Sequence, residues 1–344
     1  MAHKNISVFI PHAGCPNMCS FCNQNRISGA EKAPTADEVY DICRNQFENM
    51  PDRSNTEIAF FGGSFTAIPY DYMISLLECV QPFICGNGFD GIRISTRPDC
   101  IDENILDILE KYHVKAIELG CQSMCDDVLM MNNRGHNSEC VFKSSELIKK
   151  YGFELGLQMM TGLYGSSYEK DIETTEKICR IKPDTVRIYP TVILKNTELD
   201  RLYQSGKYIT HDIEYMINLC SEIMHMFNKN GIKIIKCGLH AAQTVESDMT
   251  GGYYHPAFRE LCESRIFRKA FEDNVTDEMI MASNSLAAVS PVNISRFIGQ
   301  KRSNIEYFKK MNIDISVKSD CNIKDNELGI WNWKKGIYNV FKIS

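Results

Sequence analysis

Six short apolar runs, set apart by stretches of helical periodicity, limit the folds open to this chain more than any other feature. The runs are "ISVFI" (6–10), "TEIAFFGG" (56–63), "GIRIST" (91–96), "VKAIEL" (114–119), "FELGLQMM" (153–160) and "DTVRIYP" (184–190), with a weaker seventh, "GIKIIKC" (231–237). Helical patterns cover 36–49, 71–80, 102–112, 138–151, 169–181 and 212–229. Strands alternating with helices of this length predict an α/β fold of βαβ units around a parallel sheet. Right-handed crossovers curl such a sheet into a full or partial barrel, whose chemistry sits at the C-terminal strand ends. Polar residues gather there: a cysteine-rich loop after the first run, Gly62-Gly63-Ser64 after the second, Ser95-Thr96-Arg97 at the third and Gln122 after the fourth. Gln158, Arg187 and Tyr189 lie inside the fifth and sixth runs. A polar side chain on an apolar strand needs a partner. For Gln158 and Arg187, ligand contact and a satisfied internal network are both open, and Glu118 suits either.

The 344 residues, 44% of them hydrophobic, suffice for one large domain with a small appendage, expected as 1–265 and 266–344. A formal net charge of -6 gives no electrostatic footprint for nucleic acid. No apolar run approaches the roughly 20 residues that span a membrane. The opening "MAHKNISVF" lacks a signal peptide's apolar core, so a cytoplasmic protein with no membrane partner is expected. Fifteen cysteines in such a chain point to thiols and metal ligands rather than disulfides.

Three of them, Cys15, Cys19 and Cys22, stand as C-x3-C-x2-C within "HAGCPNMCSFCNQNRISG". Structural zinc takes four ligands, commonly as two close pairs, and no fourth has an obvious source here. Three thiolates from one loop suit an iron–sulfur cluster. On a four-iron cluster three ligands leave one iron open to a small molecule. Zinc and three merely buried thiols are the weaker alternatives.

The cysteine motif, with Phe21 before its third cysteine and Gly-Gly after the second strand, resembles the radical S-adenosylmethionine (SAM) superfamily. The strings "FFGGSFTAIP", "ISTRPDCI", "ELGCQSM", "NRGHN", "DTVRIYPTVILKNTEL" and "YHPAFREL" resemble bacterial relatives of the elongator catalytic subunit that lack its acetyltransferase domain. The resemblance spans roughly 5 to 265. It implies a partial (β/α)6-type barrel carrying a 4Fe-4S cluster and SAM, with a small C-terminal α+β appendage. Cys15, Cys19 and Cys22 would be the metal ligands. The cofactor-binding residues would be Phe21, Gly62, Gly63, Ser64, Ser95, Arg97, Glu118, Gln122, Gln158 and Arg187. Gly62 and Gly63 let backbone approach the methionine end. Arg97 is a fixed fork for a carboxylate, although an arginine before Pro98 can equally be a surface residue. A reducing partner such as flavodoxin or ferredoxin follows from the chemistry.

The elongator relatives act on tRNA. Here no acetyltransferase domain follows, and only 14 residues precede the cluster, so whole tRNA is disfavoured as a partner. A small nucleoside or nucleotide is expected, with queuosine lysed to queuine as the specific activity. Wobble-base modification of tRNA is the alternative. An RNA-binding module that carries metal without radical chemistry is the alternative of another class. Tyr189, Tyr253, Tyr254, His255 and Arg259 are the expected substrate contacts, since aromatics beside polar groups suit a flat heterocycle. Cys237 could return a hydrogen atom, and Lys236, Asp248 or His240 could move protons. In the tail, "VNISRFIGQKRSNIEYFKKMNIDIS" has the order helix, loop, helix, strand, weakly like part of a KH module; an ordinary helical appendage explains it better. The closing "WNWKKGIYNVFKIS" reads as an edge strand.

Overall fold

The computed structural model describes residues 4–343 except 12–13, 16–17, 24–31, 85, 240–242, 277–284 and 333. By packing, the chain separates into two units. One runs to Thr210 and takes in the segment ending at Gly252; the other is His211–Leu239 with Tyr253 onward. Position 265/266 lies inside the helix Phe258–Asn274, which buries Phe258, Cys262, Phe267 and Phe271 along its length.

The first unit carries strands β1 (Lys4–Ile10), β2 (Thr56–Gly62), β3 (Gly91–Thr96), β4 (Val114–Gln122), β5 (Glu154–Thr161) and β6 (Thr185–Pro190). They pair in chain order, and every pairing is parallel. Each connection is helical: α1 (Ala36–Asn49), α2 (Tyr70–Cys79), α3 (Glu103–Lys111), α4 (Asp126–Met131) with α5 (Ser138–Lys150), and α6 (Tyr168–Ile181). These are the α/β units expected, wound as a partial barrel. Four of these helices begin where short polar side chains cap free backbone N–H groups. Thr35 and Glu38 form a capping box for α1, and Asp102, Asn137 and Ser167 cap α3, α5 and α6. After β6, Val192–Leu194 pairs antiparallel with Met249–Gly252, far on in the chain.

In the second unit, helices Ile213–Lys229 and Phe258–Asn274 accompany strand Lys233–Cys237. Its sheet has Ser285–Val289 between parallel Ile315–Ser319 and antiparallel Glu327–Asn332, with Ile337–Lys342 on the outer edge. The closing segment thus contributes the end of one strand, a turn and the edge strand. The helix–loop–helix–strand segment forms with that order, as Ile294–Ile298, a turn at Gln300–Arg302, Ser303–Lys310 and Ile315–Ser319. Phe297 and Phe308 are each 1% exposed in a core shared with Phe267 and Phe271, so both short helices serve packing. Among the described residues no helix is long and apolar enough to cross a membrane.

Candidate functional site

Cys15, Cys19, Cys22 and Phe21 meet the C-terminal ends of β2 to β5 around a cavity of about 620 Å³. The loop is tied down between its cysteines. Ser20 donates through Oγ to Asn132 Oδ1 (2.6 Å) and through its N–H to the Asn132 carbonyl (3.2 Å), and its own carbonyl accepts from Leu199 N (2.8 Å). Phe21 packs on Cys125, Val128 and Leu163 on one side and Ile193, Leu199 and Tyr208 on the other. Burial pushes the Cys15 thiol up and Cys19 adds to the rise, while Arg97 and Arg134 pull the other way. Among the described residues no three His, Cys, Asp or Glu converge as a single-ion site requires. The cysteines of a four-iron cube each bind a different iron and need not converge.

The strand ends supply the rest of the wall. Gly62 has φ +118, and a Cβ there would stand 2.7 Å from the Ile10 carbonyl, so only glycine lets these backbones close up. Gly63 donates its N–H to the same carbonyl at 2.8 Å, and both glycines line the cavity with Ser95. Ser64 does not line it. Its hydroxyl is fully buried, sits 2.9 Å from Thr96 Oγ1 and accepts from Arg97 N, so it shapes the turn below.

Three buried polar atoms on residues of this wall have no partner among the described residues: Arg97 Nη1, Gln122 Oε1 and Arg134 Nε. Arg97 gives its other two edges to Asp99, at 2.9 and 2.8 Å. Gln122 follows a bulge between β4 and β5 and has φ +63, a sparsely populated conformation for a non-glycine residue. Unpaired buried polar groups are costly, so orphans of both kinds on one cavity mark a place for a polar ligand. A ligand bearing carboxylate, ammonium and hydroxyl groups, as SAM does, supplies both kinds of partner.

One layer down, the expected binders Glu118, Gln158 and Arg187 serve one another. Arg187 forks onto Glu118 at 2.6 and 2.9 Å, and Gln158 Nε2 donates to Glu118 at 2.8 Å. Glu118 on β4 reaches β6 because Gly156 of β5 lies between; a Cβ there would meet Glu118 Cγ at 2.8 Å. Arg93 extends the network to Glu57 (2.6 Å), Glu154 (2.8 Å) and Glu118 (3.4 Å). Gln158 also lines the cavity, and Tyr189 lies within hydrogen-bond reach of Arg187.

The remaining expected residues fall elsewhere. The Asp248 carbonyl accepts from Lys195 N in the first unit. In the second unit Tyr253 Oη accepts from His211 N, His255 Nδ1 accepts from Ala257 N, and Arg259 is bound to Glu263 and to the Ile234 carbonyl. Cys237 is 4% exposed. Hydrogen bonds from Cys220 and Cys262 draw its thiol below the usual range, and burial holds Cys262 above it. Lys236 and Tyr254 belong to the same unit. His240 lies outside the described residues.

Comparison with known proteins decides the family. The model of the radical SAM superfamily matches residues 9–178, and that of the radical SAM C-terminal domain matches 183–268. The chain belongs to the radical SAM superfamily. A 4Fe-4S cluster and SAM are the cofactors of this superfamily, and the cysteines and orphaned polar atoms of this radical SAM protein fit them. Elongator complex protein 3 of Bos taurus is 30% identical over 189 residues, 49% of this chain and 34% of that protein. An uncharacterized protein of Methanocaldococcus jannaschii is 29% identical over 233 residues, 64% of this chain and 66% of that one. The chain thus spans about a third of the elongator relative's length. In structure it resembles the Methanocaldococcus infernus Elp3 with an N-terminal deletion, with TM-score 0.64 and 18% identity over 97% of this chain and 76% of that one. Streptococcus suis SuiB shares the fold at TM-score 0.50 and 16% identity, over 70% and 50% of the two chains.

Proposed function

We propose that this radical SAM enzyme abstracts hydrogen from a nucleoside-type substrate, and that the substrate is queuosine or its 5′-phosphate, cleaved to release queuine. The observation that carries the enzymatic reading is the cavity shared by three cysteines, two backbone-exposing glycines and three orphaned polar atoms. Cys15, Cys19 and Cys22 hold the cluster, Gly62 and Gly63 receive the methionine end of SAM, and Arg97 and Gln122 complete its polar contacts. When bound and reduced by a donor such as flavodoxin or ferredoxin, the cofactor pair supplies a 5′-deoxyadenosyl radical, which is the hard chemistry. The chain's own part is to orient one substrate C–H bond and to keep water and stray hydrogen donors away. Phe21 seals one side of the site, and the ion network beneath holds the floor rigid.

A small substrate is supported by a cavity within the usual size range for small-molecule sites, and by the acidic balance of the chain. Tyr189, within reach of Arg187 in the first unit, is the proposed substrate contact. Kinship with elongator proteins favours a second reading, modification of a tRNA wobble base. The test is anaerobic reconstitution with iron and sulfide, reduction with SAM, and assay of 5′-deoxyadenosine and free queuine with queuosine, its 5′-phosphate or tRNA present. Queuine release is expected from one of the small substrates. Turnover stimulated only by tRNA overturns the first reading for the second.

A further inference from the structure

Among the described residues of the wall, Arg134 brings a formal charge into hydrogen-bond contact with a cluster cysteine. Its Nη1 donates to Cys19 Sγ at 3.1 Å, and its Nη2 donates to the Gly120 carbonyl at the end of β4. The residue is 6% exposed and Nε is buried without a partner. Among the described residues no carboxylate pairs with it, unlike Arg93, Arg97 and Arg187. Its charge thus has no ion-pair partner among the described residues and is aimed at a sulfur.

We propose that Arg134 is a positioning residue that sets the reduction potential of the cluster through Cys19. Adding an electron makes a cluster and its ligand sulfurs more negative. A buried cation and an N–H···S bond stabilise that reduced state more than the oxidised one, and so raise the potential. The Gly120 carbonyl fixes the guanidinium plane, so both donors keep their aim.

The test is an anaerobic redox titration of the reconstituted protein, followed by the electron paramagnetic resonance signal of the reduced cluster, with iron content measured beside it. With Arg134→Met, the ratio of reduced to oxidised cluster at the wild-type midpoint is expected to fall about tenfold, a shift of about 59 mV for one electron. Arg134→Lys keeps the charge but cannot bond Cys19 and Gly120 together as a planar fork does, and a smaller fall in the same direction is expected. Unchanged or raised midpoints in iron-replete variants overturn the proposal. So does loss of iron from both variants with their circular dichroism intact, because Arg134 would then be a clamp on the loop. These readouts use no substrate, so they stand apart from the queuosine reading.

Discussion

The strand ends and the layer just beneath them are built from the same residue types and end in opposite states. Beneath, Glu57, Arg93, Glu118, Glu154, Gln158 and Arg187 close one network across β2 to β6. Above, Arg97, Gln122 and Arg134 each keep a buried polar atom unpaired. An arginine on an apolar strand therefore signals nothing by itself. The state of its partners separates a floor from a binding wall.

The sharpest way to break this contrast is to remove a ligand. Cys19→Ser is expected to abolish iron loading and 5′-deoxyadenosine formation while leaving the circular dichroism spectrum unchanged; a variant that still turns over would remove Cys19 from the cluster. Next in size is the floor. Glu118→Gln leaves Arg187 and Arg93 buried without their shared counter-charge, and breaking such a buried pair destabilises by about 3–5 kcal/mol. Urea unfolding measures this, and a loss under 1 kcal/mol would show that the network contributes little.

The wall should behave the other way. Gln122→Asn keeps a residue type that tolerates positive φ but withdraws the amide by one methylene. SAM affinity is expected to fall about tenfold, or about 1.4 kcal/mol, with the urea midpoint unchanged. Equilibrium binding to the reconstituted enzyme checks it, and unaltered affinity would return Gln122 to a structural role.

A pH-dependent effect belongs to a carboxyl with no cation partner among the described residues. Asp171 of α6 accepts from Gly162 N at 2.8 Å and bonds Ser166 Oγ at 2.6 Å, and burial pushes it up to about 7. The fold thus favours its neutral form. That contribution is fully present below about pH 4 and is lost as the pH rises through 7, at no more than about 1.4 kcal/mol per pH unit. Asp171→Asn cannot ionise, so its urea midpoint is expected to vary less than the wild type's between pH 5 and 8; an unchanged slope would place the ionisation elsewhere.

Much of this was legible in residue order. The six strands of the first unit follow from period, and its long helices from period with caps at four of them, because each is a local pattern. The cysteine spacing and Gly62-Gly63 likewise mark the cavity. What stayed hidden depends on register. Nothing in "VKAIELG" says that Glu118 will cross Gly156 to reach Arg187; that follows from which rungs of β4, β5 and β6 align. Arg134 had no signal beyond its place in "NRGHN", since it follows α4, a helix of 6 residues, too short for periodicity to show. The pairing of Val192–Leu194 with Met249–Gly252 joins segments whose separation no local rule bridges.

The clasp at Ser20 has a consequence for synthesis. A residue between two cluster cysteines is held by Asn132 and Leu199, so the loop made first is finished last. A ribosome adding about 5–20 residues per second needs roughly 10–35 s to travel from Cys22 to Leu199. Through that interval the three thiols wait on an unclosed loop, and iron delivered early meets ligands that their own chain has not yet shaped.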